Sequence, residues 1–359
     1  MSNRLNGEPT IGEMLAARGI TRRQFLKMCG VVAVALAIPA GELGRFADAV
    51  AAAARPRVVW LEFQDCTGDS ESFLRAAQQA DPLQSGVTDP SLTSLLLDVL
   101  SVEYHETLMV PSGAYATKSR DDVVRNYAGQ YICVVEGSIP TAANGVYCTV
   151  GGESALNILK QVASKAQATL AVGTCAAYGG LPGAQPNPTG AAGVKDAVPG
   201  LQNLVNLPGC PHNVVNLVAT IVYFVAKNQL PSRDASGRPQ FAYGTLIHAR
   251  CERRRYHDDE KLVLAWGDQG HRQGWCLRAM GCHGPTTYSN CPVVKWNQGT
   301  GWPVQAGHGC LGCTSANFWD ASSSLYNVVF HGNKTQNDCA VCHGSGGASS
   351  TSVPPTPKP

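Results

Sequence analysis

The sequence predicts an α/β fold, a parallel sheet followed by a loop-rich region that folds around metal ligands rather than an aliphatic core. Three observations carry this. Short apolar, β-rich runs alternate with helical patterns through the middle of the chain, the signature of a parallel sheet. Glycine and proline are abundant, 38 and 22 of 359 residues. The chain also holds 14 cysteines, eight of them C-terminal to His248. A cytosolic enzyme has little use for that density, and disulfide scaffolds are usually much smaller chains. Lys plus Arg (28) nearly balances Asp plus Glu (26), which excludes a nucleic-acid binder that works by neutralising phosphates.

The N-terminus reads as an address. Thr21-Arg22-Arg23-Gln24-Phe25-Leu26-Lys27 is a twin-arginine motif, followed by the apolar run Met28 to Ile38 and the breakers Pro39 and Gly41. That run suits a signal core and is far shorter than the roughly 20 residues that span a bilayer. Ala47-Asp48-Ala49 offers small residues for cleavage. The twin-arginine route carries folded proteins, which suits a chain loaded with metal before export. An amphipathic N-terminal helix is the plainer alternative. Cys29 falls inside this segment and is left out of the site.

Four strands are expected next. Val58 to Leu61 leads to Asp65-Cys66-Thr67-Gly68-Asp69, with a helical pattern from about Ser72. Tyr131 to Val135 leads to Glu136-Gly137. Ala168 to Val172 leads to Gly173-Thr174-Cys175-Ala176. Leu204 to Leu207 leads to Pro208-Gly209-Cys210-Pro211, with a helix over Val214 to Ala226 beyond it. Ligands of open α/β sheets bind beyond the carboxyl ends of the strands. Cys66, Cys175 and Cys210 occupy three of those four ends. Cys133, inside an apolar run, and Cys148 read as structural.

From His248 the spacing is His248-x2-Cys251-x24-Cys276-x5-Cys282-x8-Cys291-x18-Cys310-x2-Cys313. Zinc uses similar pairs, but seven ligands do not make two four-ligand sites. One four-ligand and one three-ligand iron–sulfur cluster would use all seven. Disulfides would give His248 no role, and 14 cysteines less Cys29 leaves an odd number.

With these motifs the chain resembles the small subunit of [NiFe] hydrogenases. The likeness runs from the signal to Trp319-Asp320. It rests on Trp60-Leu61-Glu62, Asp65-Cys66-Thr67-Gly68, Glu136-Gly137, Gly173-Thr174-Cys175-Ala176, Pro208-Gly209-Cys210-Pro211 and His248-x2-Cys251. Gly274-Trp275-Cys276-Leu277, Gly281-Cys282, Asn290-Cys291-Pro292, Trp302-Pro303-Val304 and Gly307-His308-x-Cys310-x-Gly312-Cys313 complete it. The resemblance implies a flavodoxin-like N-terminal domain, a cluster domain, and three iron–sulfur clusters in line. Cys66, Cys175 and Cys210, with Asp69 in the fourth position, would hold a proximal [4Fe-4S] cluster. Cys291, Cys310 and Cys313 would hold a medial [3Fe-4S] cluster, Pro303 standing where a fourth cysteine would otherwise sit. His248, Cys251, Cys276 and Cys282 would hold a distal [4Fe-4S] cluster.

The departure is Asp69, where relatives usually carry cysteine. A carboxylate binds iron as a harder ligand than thiolate and should alter the potential; the alternative is that Asp69 caps the helix nearby. An aspartate there resembles the actinobacterial-type, oxygen-tolerant group. Gly68 and Gly180 stand where membrane-bound oxygen-tolerant relatives have two extra cysteines, so their [4Fe-3S] cluster is not expected.

The implied function is electron transfer from H2 oxidised at a Ni–Fe centre in a partner large subunit to a redox acceptor protein or quinone-linked partner. A dimer of such heterodimers is allowed, and no nucleic acid is involved. Nothing resembles the large subunit's nickel-binding motifs, so this chain alone should not turn over H2. The competing class is a secreted metal-binding or disulfide-stabilised protein without redox turnover. Glu62 and Glu136 suit proton movement, docking or buried structure. Arg253-Arg254-Arg255 is expected to pair with the nearby acids Asp258, Asp259 and Glu260, or to meet an electron acceptor.

In the tail, Cys339-Ala340-Val341-Cys342-His343 matches the c-type haem attachment pattern. A metal or redox pair and an exposed dithiol or disulfide stay open there, and the residues beyond it are Gly-, Ser- and Pro-rich. The expected organisation is a signal over 1–54, the flavodoxin-like domain with the proximal cluster over 55–235, the medial and distal cluster domain over 236–335, and the tail over 336–359. Export to the periplasmic or outer face of the membrane, without an anchor of the chain's own, is expected; retention of the signal in a cytoplasmic enzyme is the alternative.

Overall fold

The computed structural model describes residues 9–75, 100–296 and 299–322. Cys339, Cys342 and His343 lie outside the described residues.

The strands of the main sheet are β1 (Arg57–Glu62), β2 (Ser101–His105), β3 (Tyr131–Glu136), β4 (Ala168–Val172) and β5 (Leu204–Leu207). They form one parallel sheet in the order β2-β1-β3-β4-β5. This is the flavodoxin-like order, with its switch point between β1 and β3. Alternation along the strands divides the core. Val58, Trp60, Ile132, Val134, Leu170 and Val172 face one apolar cluster, and Val59, Leu61, Cys133, Val135 and Ala171 face the other. With both faces covered, the central strands are apolar almost throughout, which is why they stand out in the sequence as runs.

After three N-terminal helices α1 (Ile11–Ala17), α2 (Arg22–Ala35) and α3 (Leu43–Ala52), the helices α4 (Gly68–Arg75), α5 (Ala114–Asn126), α6 (Ala155–Ala163) and α7 (Gly173–Tyr178) lie between the strands, and α8 (Val214–Lys227) follows β5. In α6, Ser154 accepts the Asn157 amide at 3.3 Å. Its buried residues Ala155, Ile158, Leu159 and Val162 recur at helical spacing. Asn213 caps α8, accepting the Val215 amide at 3.0 Å. Asn228, left-handed at φ 49°, ends it.

The N-terminal segment is folded. Capping boxes open α1 (Thr10 with Glu13) and α2 (Thr21 with Gln24). Ile11, Leu15, Phe25, Met28, Cys29, Val32, Phe46 and Val50 join the same buried cluster as α8, and Arg22 pairs with Asp48 at 2.9 Å. Ala47, in the small-residue stretch, is buried within α3.

Beyond α8 the described residues make only short helical turns, such as Ile247–Arg250, Arg254–Asp258 and Cys291–Val294. Their small core mixes Ile247, Val263, Leu277, Trp302 and Val304 with Cys291 and Cys310. No helix among the described residues is long and apolar enough to cross a membrane.

Candidate metal centres

Cys66, Cys175 and Cys210 lie just beyond β1, β4 and β5, so the sheet brings together residues far apart in sequence. Cys66 and Cys210 are exposed and Cys175 is partly buried. A Cβ on Gly180 would stand 2.4 Å from the Cys175 sulfur and 2.7 Å from its Cα; no side chain, cysteine included, fits there without a shift. Burial pushes the Cys175 and Cys210 thiols up to about 12. A thiol so placed stays protonated in an empty site and gives up its proton when a cation takes it as ligand.

Asp69 is buried beside them. It does not cap α4: the amides of Asp69 and Ser70 donate to Glu136 Oε1, at 2.9 and 3.1 Å. That carboxylate satisfies the first turn and starts α4 at Gly68, earlier than the expected Ser72. Glu136 Oε2 accepts from Trp60 Nε1 at 3.0 Å and from Ser70 Oγ at 2.5 Å. Burial, then the charge of Asp69, pushes the Glu136 pKa up, against those donors. The Asp69 side chain turns instead to His212. Its Oδ1 accepts from the His212 amide at 2.5 Å and lies 2.8 Å from the ring Nδ1.

Glu62 accepts from Thr107 and lies 3.3 Å from His105 Nδ1. Oxygens of Glu62, Asp65 and Glu136 lie within 4.8 Å of one another. Burial first, then the charge of Glu136, pushes Asp65 up to about 7.

Of the seven candidate ligands beyond α8, three come together around one space. Cys291, Cys310 and Cys313 line one cavity of about 550 Å³ together with Cys210, Pro303 and Trp296. Cys291 Sγ lies 3.1 Å from Ser289 Oγ, and Cys310 Sγ accepts the Gly312 amide at 3.4 Å. The Cys282 sulfur accepts the Cys310 amide at 3.2 Å, so the distal set abuts the medial one. Thr174 Oγ1 donates to the Cys313 carbonyl and accepts the Gly209 amide at 2.9 Å, tying the medial set to the proximal loops. Cys251 accepts the Arg253 amide at 3.4 Å, and Cys276 is paired through its backbone to Val263. Burial, then the charges of His257 and Arg254, pushes His248 down to about 4, the neutral form that a metal requires. The donor set therefore fits iron–sulfur clusters, and all twelve cysteines among the described residues are free of disulfides.

The arginine run divides. Arg254 reaches Asp258 at 3.7 Å, but Arg253 is buried and donates to the Trp275 carbonyl at 2.9 Å, and Arg255 lies over the Tyr256 ring. Sequence reasoning missed His212. Its only signal was its place directly after Cys210-Pro211.

Two family models match. One is NADH ubiquinone oxidoreductase, 20 Kd subunit, over residues 66–224. The other is the C-terminal part of the NiFe/NiFeSe hydrogenase small subunit, over residues 243–326. The periplasmic [NiFe] hydrogenase small subunit 1 of Nitratidesulfovibrio vulgaris is 43% identical over 321 residues, 89% of this chain and 97% of that protein. The hydrogenase-2 small chain of Escherichia coli is 40% identical, covering 84% of this chain and 78% of its own length. Among solved structures, the Desulfomicrobium baculatum [NiFeSe]-hydrogenase aligns with a TM-score of 0.68 at 34% identity, over 77% of this chain and 100% of its own. The chain belongs to the [NiFe] hydrogenase small-subunit family.

Proposed function

We propose that this chain is the electron-transfer component of a heterodimeric [NiFe] hydrogenase, conducting electrons from H2 oxidised in the large subunit to an acceptor. The observation that carries the reading is the continuity of the three ligand sets, in which Cys282 touches Cys310 and Thr174 ties Cys313 to the proximal loops. When bound, iron–sulfur clusters supply one-electron centres whose potentials depend on ligand type, hydrogen bonding and burial. The chain's part is to hold them in line, exclude water and tune them. The exposed Cys66 and Cys210 mark the face that suits the large subunit.

In this reading Cys66, Asp69, Cys175 and Cys210 hold a proximal [4Fe-4S] cluster. Cys291, Cys310 and Cys313 hold a medial [3Fe-4S] cluster, and His248, Cys251, Cys276 and Cys282 a distal [4Fe-4S] cluster. Iron analysis of the purified heterodimer should give about 12 iron atoms per heterodimer, eleven from clusters of four, three and four and one from the Ni–Fe centre of the large subunit. Electron paramagnetic resonance of the oxidised protein should show a [3Fe-4S] signal; its absence would overturn the medial assignment.

An aspartate ligand at the proximal cluster goes with membership of the actinobacterial-type group. Its support is that Asp69 sits in the ligand position, buried, with the capping role filled by Glu136. Asp69→Cys is expected to change the proximal-cluster spectrum and lower its midpoint potential, because thiolate donates more charge to iron than carboxylate. An unchanged spectrum and potential would remove Asp69 from the ligand set. Export by the twin-arginine route, a redox protein or quinone-linked acceptor, and a dimer of heterodimers belong to the same reading.

A further inference from the structure

We propose that His212 is a positioning residue for Asp69, holding one carboxylate oxygen so that the other is presented to the proximal cluster. This rests on the reading of Asp69 as a ligand. His212 is completely buried. Its backbone amide and its ring Nδ1 both meet Asp69 Oδ1, at 2.5 and 2.8 Å. The other oxygen, Oδ2, lies where a Cβ on Gly173 would be only 2.0 Å away. Gly173, at φ +80°, heads α7, the short helix that carries Cys175. One side of the carboxylate is thus saturated by donors, and the other is turned to the cysteine-bearing turn.

The ring is not there for packing. A carboxylate only accepts, so the Nδ1 that faces it carries the proton. The ring's other nitrogen, Nε2, an acceptor in the neutral ring and a donor in the charged one, is buried without a hydrogen-bond partner among the described residues. Such an atom costs stability, and leucine would fill similar space without that cost. What histidine adds is the bond to Asp69. The His212 carbonyl also accepts Ser72 Oγ at 2.8 Å, so the same residue locks α4 to the loop after β5. Ligating carboxylates are commonly held by such outer partners, which fix their orientation and moderate their donor strength.

The expected consequence has a direction. Removing the Nδ1 donor makes Asp69 a stronger donor to iron, stabilises the oxidised cluster and lowers the proximal midpoint potential. The test is a redox titration of the purified heterodimer, with Mössbauer and electron paramagnetic resonance spectra, for His212→Leu and His212→Asn, each alone and combined with Asp69→Cys. His212→Leu should shift the proximal signal and lower its potential. His212→Asn, whose amide nitrogen can stand near the position of Nδ1, should restore most of both. In the Asp69→Cys background the His212→Leu shift should vanish. If Asp69→Cys changes the spectrum but His212→Leu does not, the positioning role is overturned and ligation stands. An equal shift in both backgrounds overturns it too, because the histidine would then act on the fold alone. If Asp69→Cys leaves the spectrum unchanged, the ligation reading fails and this one with it. Should His212→Leu not assemble, His212→Met, which also lacks a donor, carries the same comparison.

Discussion

Glu136→Gln is expected to cost about 2–4 kcal/mol of stability, since it leaves at least one buried donor facing an amide NH2 and weakens bonds to a charged acceptor. All four groups that meet this carboxylate donate: Trp60 Nε1, Ser70 Oγ and the amides of Asp69 and Ser70. Of these only the serine hydroxyl can rotate to become an acceptor. A glutamine accepts at one position alone, so either orientation sets its NH2 against a fixed N–H. The change should appear as a lower denaturant midpoint at unchanged slope. Trp60→Phe, which removes one donor and leaves the acceptor intact, should cost less. Because two of the donors are the first-turn amides of α4, Glu136→Gln should also disturb the proximal-cluster spectrum through Asp69. A midpoint equal to that of the unaltered chain would mean the carboxyl is protonated and already donates.

The contrast between Glu136 and the cysteines explains what a sequence can disclose. Cysteine at a strand end is informative by residue type alone, and the spacing from His248 onward groups the rest. The buried strands announced themselves as apolar runs. β2 did not: Ser101, Val102 and Glu103 are only half-buried on an edge strand, so no clean alternation marks it. α5 was equally quiet, with only Arg120, Val123 and Val124 buried along its length. The roles of Glu136 and His212 depend on partners 67 and 143 residues away in sequence. No local pattern encodes that. The N-terminus is a different case, because its signals were local and pointed two ways. The run from Met28 to Ile38 has the length of a signal core, while Thr10 with Glu13 and Thr21 with Gln24 spell helix starts.

Cys29 is expected to resist iodoacetamide in the intact native chain and to become reactive when Val50 is replaced by aspartate. Both residues are fully buried, in the apolar cluster that joins α1, α2 and α3 to α8. Burial pushes the Cys29 thiol up to about 12, so the reactive thiolate is far scarcer than at an exposed cysteine. An ionised group at Val50 must be desolvated for the helices to stay docked, at a cost of several kcal/mol that undocking avoids. Undocking would free the apolar run of the twin-arginine segment and expose Ala47, now buried within a helix, to a peptidase that needs extended chain. Peptide-level mass spectrometry reads both outcomes in one experiment: alkylation at Cys29 and cleavage near Ala47-Asp48-Ala49 should rise together in Val50→Asp. Rapid labelling of Cys29 in the unaltered native chain would mean that residues 9–54 leave the domain in solution, and the outer face of α8 would then need another cover.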